Sequence, residues 1–487
     1  MNPIILGSGL SGLVTAYKLT QQNIVPTILT SGFTESINPN LMSDLKKFPK
    51  AWKSVNGSYH PFQKPKYSKT SETFSKVAIQ QSYGKYGFSE VWGATVFPID
   101  NDMKQRWQTL GISLDKQYNE LFKLIPMVFE DDSLSKRFQI PQTSNDLSSF
   151  QISSFLDELA AESNILDDGL LIGKSRLAIK SNNKSIGCTL DGTCLTGCKN
   201  NHIFSSANLI ALLGDKINLV SDVEVVSFEE YGPEGLVKIR CRNIVSDQEL
   251  DFLTERVFVA LGPLGTSKLI LNSVEDISEI RISDSNTFYL PLWHFKSHNF
   301  SSNVISLSNL VISFFKNNRS LFLQLYPNTL DLLNFIKKKF NLTLIPDNFI
   351  KFFMKHFTVS IGFIPSTFSD SISVKKVAKN NFFISRLKNE GKRRFCNSAL
   401  KDLGKQLIKI RVFRIPGMIL HQMPGAGVHS GSLINPDSSS FINRINGRLE
   451  GHSNIIIVDS SSLPEIPVGS ISLTSMANAM RIVELNL

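Results

Sequence analysis

The sequence contains little cysteine and little charge. Only five of its 487 residues are Cys, and charged residues make up 19% against 42% hydrophobic residues. So few cysteines exclude a disulfide-dense scaffold, and the hydrophobic fraction excludes a disordered chain. No stretch approaches the roughly 20 apolar residues of a membrane span, because the most apolar one, 303–315, is interrupted by Ser and Asn. The composition predicts a globular protein of two or three domains.

The first residues also lack the features of a secretory signal. They contain neither a basic segment nor a long apolar run. We therefore expect a cytoplasmic protein, and peripheral contact with the inner membrane surface stays open.

The net charge of +10 is concentrated in one part of the chain. Residues 375–414 contain 13 basic and two acidic side chains, and Lys401, Lys405 and Lys409 recur every four residues between apolar positions. This spacing predicts an amphipathic helix with a basic face. The face is either simply solvated or attracts an anionic partner, such as a phosphate-bearing substrate or an acidic lipid surface. No nucleic-acid-binding module accompanies the charge, so we expect no nucleic-acid partner.

A glycine-rich motif follows the first predicted strand. Residues 4–6 are apolar, 7–12 read G-S-G-L-S-G, and a helical run and a second strand at 26–29 come next. In this context G-x-G-x-x-G predicts a dinucleotide site, where the backbone approaches a pyrophosphate at a helix N-terminus. The predicted cofactor-binding residues are Gly7, Ser8, Gly9, Ser11 and Gly12. Thr30 stands where an Asp or Glu usually bonds the ribose, and its hydroxyl can do so without charge assistance.

Five segments spread over the chain resemble the glucose–methanol–choline family of FAD-dependent oxidoreductases. They are the glycine-rich motif, 87–94 (GFSEVWGA), 194–198 (CLTGC), 257–266 (VFVALGPLGT) and the C-terminal block 429–481. The resemblance implies FAD as cofactor. It also implies further FAD-binding residues, namely Trp92, Gly93, Ala94, Val225, Ala260 and Gly262.

The resemblance implies an α/β fold with two interleaved domains. The first is a Rossmann-like FAD-binding domain with a parallel sheet, expected at 1–60, 170–287 and 415–487. The second is an α+β substrate domain with an antiparallel sheet, expected at 61–169 and 288–414.

The C-terminal block describes a site of its own. Residues 455–458 predict a buried strand, and Asp459 and Ser460 follow at its carboxyl end, where open α/β sheets bind ligands. A helix is predicted from Ser472, so the amides of Ser470 and Ile471 would face the electron-rich edge of the flavin. A turn or helix-cap carboxylate is the alternative role for Asp459.

Two histidines are candidates for the base that removes a hydroxyl proton. His429 matches the family pattern better, since a Gly and a small hydroxylated residue follow it, and His421 is the second candidate. The family's second catalytic position, a His or Asn, aligns with Ser470. Serine is not a base at ordinary pH, so the site would depend more on His429, and loss of redox activity stays open.

Cys188, Cys194, Cys198 and His202 match no standard zinc spacing, and we expect no metal. The segment 288–357 is rich in Phe and predicts strands at 304–315 and 321–326, then Phe/Lys-rich helices at 332–340 and 349–357. Core packing is one role for these rings, and docking on a membrane surface is the other.

These observations predict an FAD-dependent oxidoreductase acting on a CH–OH group, with a sugar or glycan alcohol, free or carried on a phosphate or lipid, as the favoured substrate. The alternatives are a membrane-surface oxidoreductase of a lipid or sterol-like alcohol, and a flavin-binding protein with little turnover. An NAD-dependent dehydrogenase would leave the C-terminal block unexplained. No motif identifies the electron acceptor.

Overall fold

The structure is a computed structural model. It describes residues 2–32, 64–65, 67–128, 131–139, 154–161, 169–180, 188, 190, 194, 198, 201–231, 235–298, 304–316, 319–329, 332–333, 336–337, 341–415, 417–437 and 441–487. The helices within these ranges are α1 (Leu10–Thr20), α2 (Asn101–Thr109), α3 (Asp115–Leu124), α4 (Ser133–Phe138), α5 (Ser154–Ala161), α6 (Ser206–Leu213), α7 (Gly262–Ser273), α8 (Asp347–Met354), α9 (Lys392–Lys409) and α10 (Ser472–Leu485).

The strands belong to four sheets. In chain order they are β1 (Ile4–Leu6), β2 (Thr27–Leu29), β3 (Ser71–Ser75), β4 (Leu170–Lys174), β5 (Asn218–Val220), β6 (Val223–Tyr231), β7 (Leu236–Asn243), β8 (Glu249–Thr254), β9 (Val257–Val259), β10 (Glu279–Asp284), β11 (Thr287–His294), β12 (Leu310–Lys316), β13 (Arg319–Tyr326), β14 (Phe357–Phe363), β15 (Ser371–Ala378), β16 (Asn381–Leu387), β17 (Val412–Arg414), β18 (Leu420–His421), β19 (Ser430–Ile434), β20 (Arg448–Leu449) and β21 (His452–Ile457).

A six-stranded sheet carries the glycine-rich motif. Its order is β20-β21-β9-β1-β2-β5, with parallel pairing from β21 to β5. The residues of β1 and β9 are wholly buried, because one face of the sheet packs against α1 and α10 and the other packs against β6, β7 and α7. Strands covered on both faces are continuously apolar. Helix α10 is buried along nearly its whole length beside α1. The parallel sheet and the predicted α/β class are confirmed.

A seven-stranded antiparallel sheet lies opposite. Its order is β17-β11-β14-β13-β12-β4, with β18 paired to β11. Because side chains alternate along a strand, the register puts Thr287 and Tyr289 on the same face as Phe363 and Ile361, and Gln324 next to Ile361. We call this the inner face. Helix α9 packs its apolar side on the outer face.

Two smaller sheets complete the fold. One has the order β19-β10-β15-β16-β3 and the other β6-β7-β8. In the first sheet, β10 and β19 come from ranges predicted for the FAD-binding domain. Their neighbours β15 and β16 come from a range predicted for the substrate domain. In the same way β4 pairs with β12 of the antiparallel sheet. The predicted boundaries thus cross two sheets, because strand pairing joins segments far apart in sequence, and the domain division stays a prediction.

Several local predictions need correction. The strand expected at 304–315 begins at Leu310, and the helix expected at 349–357 is α8, which ends at Met354 before β14 starts at Phe357. The helix expected at 332–340 lies partly outside the described residues. None of the helices in the described ranges is both long and apolar enough to cross a membrane.

Candidate active site

One cavity of about 520 Å³ lies between the two large sheets. The loops after β1, β2, β9 and β21 line one side, and the inner face of the antiparallel sheet lines the other. The carboxyl ends of parallel strands meet at one edge, which is where open α/β sheets bind ligands. The predicted site residues that line it are Gly7, Ser8, Gly9, Ser11, Thr30, Trp92, Gly93, Ala94, Val225, Ala260, Gly262, His429, Asp459, Ser460, Ser470 and Ile471.

The glycine-rich turn has three different steric environments. Gly7 has φ +101°, and a Cβ on it would overlap the carbonyl oxygen of Ala260. A Cβ on Gly12, which is buried rather than cavity-lining, would overlap the carbonyl oxygen of Gly7. A Cβ on Gly9 would meet no protein atom within 4 Å. Gly7 and Gly12 therefore serve close backbone packing, whereas the space beside Gly9 is open for a ligand.

Among the described helices, the N-termini of α1, α7 and α10 reach the cavity, and of these the N-terminus of α7 is capped by a side chain. Gly9 and Ile471 cap α1 and α10 without a side-chain hydrogen bond, and no acidic residue lies in either first turn. Such ends present backbone N–H groups and a partial positive charge to an anion. The Asp459 carboxylate accepts from the amide of Gly262, at the start of α7.

The bonds of Asp459 favour the cap role over direct cofactor binding. One carboxylate oxygen accepts from Gly262 N at 2.8 Å and from the Thr266 hydroxyl at 2.6 Å, and the other accepts from Ser461 N at 2.8 Å. Burial raises the pKa of this carboxyl, and these hydrogen bonds oppose that shift. Asp459 therefore ties the end of β21 to α7 and fixes the loop that reaches the cavity.

Thr30 joins the first two strands. The Ser8 hydroxyl lies 2.7 Å from the Thr30 hydroxyl and donates to it, and it lies 2.5 Å from the carbonyl oxygen of Lys85. Thr30 is 4% exposed. Its hydroxyl thus holds the glycine-rich turn against the end of β2, at the cavity wall.

His429 lies at the other end of the cavity. Its ring stacks on Phe363 of the inner face, with centroids 4.7 Å apart and planes at 14°. Burial lowers the pKa of His429 to about 4, so the imidazole is neutral at pH 7. Its Nδ1 atom is buried and has no hydrogen-bond partner among the described residues. A neutral imidazole has one unprotonated ring nitrogen, and such a nitrogen next to a cavity has the properties of a general base.

The loop that carries His429 is held firmly. Asp284 accepts from Gly425 N at 3.0 Å and from the Ser430 hydroxyl at 2.6 Å, and Ser285 N donates to the carbonyl oxygen of His429 at 2.9 Å. Val428, directly before His429, has φ +58°, a strained conformation for a β-branched residue that surrounding contacts must impose. These contacts fix the position of the imidazole.

Ser470 is committed to the backbone. Its hydroxyl donates to the carbonyl oxygen of Thr95, and the side chain is buried beside the cavity. Its oxygen can still accept a hydrogen bond. Ser470 therefore anchors the segment of Trp92, Gly93 and Ala94, in which Ala94 has φ +53° and the Trp92 indole donates to the Phe204 carbonyl.

His421, the second candidate base, lies outside the cavity lining. It is exposed at the end of β18, opposite Phe288, while its neighbour Gln422 reaches the cavity. This removes His421 from the candidate base set, because strand pairing turns its side chain away from the site.

Sequence reasoning missed the residues that the antiparallel sheet contributes. Tyr289, Gln324, Tyr326 and Phe363 line the cavity opposite the glycine-rich side. The Tyr326 hydroxyl donates to Gln324 at 3.1 Å. The available signal was a pair of polar residues two apart in the apolar strand 319–326, which puts both on one face.

The basic segment does not line the cavity. Helix α9 carries Lys401, Lys405 and Lys409 on its exposed side and buries Leu400, Leu403 and Leu407, as predicted. Two other basic residues of the segment, Arg386 and Lys392, form ion pairs with the buried Asp370. The exposed basic face lies on the outer side of the sheet, away from the site.

The cysteine segment lies only partly within the described residues. Cys194 is buried, and Cys198 accepts from the amide of His202 at 3.2 Å. Across the described ranges, no group of three or more His, Cys, Asp or Glu side chains is arranged to hold a metal ion.

No protein-family model and no curated protein matches the chain. Solved structures do. The chain is similar to pyridoxine 4-oxidase from Mesorbium loti, with a TM-score of 0.64 and 12% identity over 99% of this chain and 98% of that one. It is also similar to an FAD-dependent oxidoreductase from Chaetomium thermophilum, with a TM-score of 0.61 and 12% identity over 100% of this chain and 99% of that one. The chain therefore has the fold of the glucose–methanol–choline flavoenzymes that its sequence resembles.

Proposed function

We propose that the protein is an FAD-dependent oxidoreductase that converts a CH–OH group to a carbonyl. The observation that supports this most directly is the lining of one cavity. It has a glycine turn suited to an anion at one end and, at the other, the neutral His429, whose Nδ1 has no hydrogen-bond partner within the described part of the chain. Both solved relatives named above are oxidases or oxidoreductases, and the second is described as FAD-dependent.

The residues present fit FAD. The open space beside Gly9 and the uncapped N-terminus of α1 suit a pyrophosphate. Val225, on β6, also lines the cavity. At the other end, the amides at the start of α10 would face the flavin ring. Bound FAD supplies the acceptor for the hydride that leaves the alcohol carbon.

The chain's own part in the reaction is proton removal and orientation. The neutral His429 imidazole accepts the hydroxyl proton as the C–H bond breaks. The stack on Phe363 and the hydrogen bonds of Asp284 to the loop hold the ring in one orientation, which lowers the entropic cost of reaching the reactive geometry. The Ser470 hydroxyl donates to the Thr95 carbonyl, so its oxygen assists by accepting a hydrogen bond from a second hydroxyl of the substrate, since the reacting hydroxyl gives its one proton to His429.

For the substrate we propose a sugar or glycan alcohol. The wall opposite the glycine turn combines amide and phenol groups, on Gln324, Gln422, Tyr289 and Tyr326, and the flat ring of Trp92 also lines the cavity. Convergent hydrogen-bonding groups between aromatic surfaces suit a hydroxyl-rich ring. A lipid or sterol-like alcohol would use the apolar part of the same wall and is the alternative.

The visible spectrum of the purified protein tests the proposal. We expect flavin bands that bleach when a sugar or glycan is added to the parent protein in the absence of oxygen. The same addition should leave the bands of His429→Asn unbleached. Bleaching only with lipid alcohols would replace the substrate class. Bands that no alcohol bleaches would leave a flavin-binding protein without turnover, and absence of bands after FAD reconstitution would reject the cofactor.

A further inference from the structure

Helix α8 exposes an apolar surface that neither the core nor the cavity uses. Leu344, just before the helix, is 96% exposed, and Phe349, Phe352 and Phe353 are 57%, 62% and 47% exposed. We call these four residues the phenylalanine patch. The rings touch one another, with centroid distances of 5.0 Å between Phe349 and Phe353 and 5.6 Å between Phe352 and Phe353. Isolated exposed apolar residues are ordinary, but contiguous ones mark an interaction surface.

The opposite side of α8 is anchored in the fold. Ile350 and Met354 are buried in a cluster with Tyr326, and Ile361 packs against the same cluster. Tyr326 and Ile361 also line the cavity. The helix therefore covers the inner face of the antiparallel sheet at the cavity's edge, whereas the basic helix α9 covers the outer face.

The helix that carries the patch, together with the residue that follows it, has two basic residues and one acidic residue. Lys351 lies within α8 and Lys355 directly follows it, both half-buried. The acidic residue in α8, Asp347, pairs with Lys337. Lysine stems can lie along an apolar surface while their ammonium groups reach outward to phosphate. Aromatic residues at the apolar side of a helix with flanking lysines are typical of segments that insert shallowly at an anionic lipid surface.

We propose that the phenylalanine patch docks the protein on an anionic phospholipid surface. The rings enter the boundary between headgroups and acyl chains, and Lys351 and Lys355 contact lipid phosphates. Docking in this orientation holds the cavity edge at the membrane, where an alcohol on a lipid carrier would be presented. This last consequence rests on the proposed function, whereas docking itself does not.

Vesicle flotation tests the docking, with full-length protein and vesicles of phosphatidylcholine alone or mixed with phosphatidylglycerol. We expect flotation with the mixed vesicles. A variant with Phe349, Phe352 and Phe353 all changed to Ser should bind the mixed vesicles at least about tenfold more weakly than the parent. The matched control is Phe74→Ser on edge strand β3. Phe74 is 48% exposed, close to the 47% of Phe353, yet it lies on a different sheet from the one that α8 packs against. Phe74→Ser should float like the parent.

Charge and depth give two independent readouts. Reversal of Lys351 and Lys355 to Glu should weaken binding to mixed vesicles by roughly tenfold, whereas reversal of Lys401 and Lys405 on α9 should not. The tryptophan fluorescence added by Phe352→Trp should be quenched by brominated lipid, whereas that added by Phe74→Trp should not. The proposal would be overturned if the triple Ser variant floated like the parent, or if binding depended on the α9 lysines instead. It would also be overturned if the parent self-associated and the triple Ser variant did not, because the patch would then join two copies of the chain. Flotation needs neither flavin nor turnover, so its failure is distinct from failure of the enzymatic proposal.

Discussion

The two ends of the cavity are built in different ways. The glycine-rich end comes from one continuous segment, in which β1, α1 and β2 place Gly7, Gly9 and Thr30 within about 30 residues of each other. The His429 end is assembled from the inner face of the antiparallel sheet, the loop before β19 and the start of α10. The first end depends on backbone sterics and helix amides, and the second on the identity and orientation of side chains. Substitutions should therefore affect cofactor retention at one end and turnover at the other.

The largest effect is expected at Gly12. A methyl group there would overlap the Gly7 carbonyl oxygen, so Gly12→Ala should lower the free energy of unfolding by about 1–3 kcal/mol and abolish flavin retention. Calorimetry of the apoprotein and FAD titration measure the two effects.

Gly9→Ala is the matched control, because a Cβ at Gly9 meets no protein atom within 4 Å. Its apoprotein should unfold within about 0.5 kcal/mol of the parent, while FAD binds roughly tenfold more weakly. Unchanged FAD affinity in Gly9→Ala would mean that the ligand does not occupy the space beside Gly9.

At the other end, His429→Asn should retain flavin and lose about 10²- to 10⁴-fold in kcat/KM, the usual range for a general base. Stopped-flow measurement of flavin reduction isolates this step. His421→Asn is the control, since His421 is exposed outside the cavity lining. Equal losses in both variants would contradict the assignment of the base.

The pH profile separates this histidine from an ordinary one. Burial lowers the pKa of His429 to about 4, so its basic form persists as the pH falls through 6.5, the pKa of an ordinary histidine. We expect kcat/KM to stay level across that region and to fall only as the pH approaches 4. A fall centred near 6.5 would show that the base is a less buried histidine.

The same contrast explains what the sequence could predict. Residues 4–30 form a local unit whose glycine spacing and apolar strands specify the turn without distant partners, so the sequence predicted the strand, helix and second strand that the structure contains. Cofactor binding by its residues stays a prediction. The role of Asp459 was ambiguous, because its partners Gly262 and Thr266 lie almost 200 positions away. Gln324 and Tyr326 were missed, since only the pairing of β13 with β14 puts them opposite the glycine-rich side.

Ser470→Ala tests whether the second catalytic position retains a function. The hydroxyl donates to the Thr95 carbonyl, so its loss should lower the free energy of unfolding by about 1 kcal/mol. Displacement of the 92–95 segment should reduce kcat/KM by roughly threefold to tenfold. Steady-state kinetics with the preferred alcohol, at known flavin content, measures this. A loss as large as that of His429→Asn would make Ser470 an equal partner in catalysis.

The smallest effect is expected at Thr30. Thr30→Val keeps the shape of the side chain but removes the hydroxyl to which Ser8 donates at 2.7 Å. A neutral hydrogen bond contributes about 0.5–1.5 kcal/mol, so FAD affinity should fall by roughly twofold to tenfold. Thr30→Ser keeps the hydroxyl and should bind FAD like the parent. Because Thr30 lies at the glycine-rich end, neither variant should change the rate of flavin reduction once FAD is saturating. A change in that rate would mean that the two ends of the cavity are coupled, and that the division between cofactor retention and turnover does not hold.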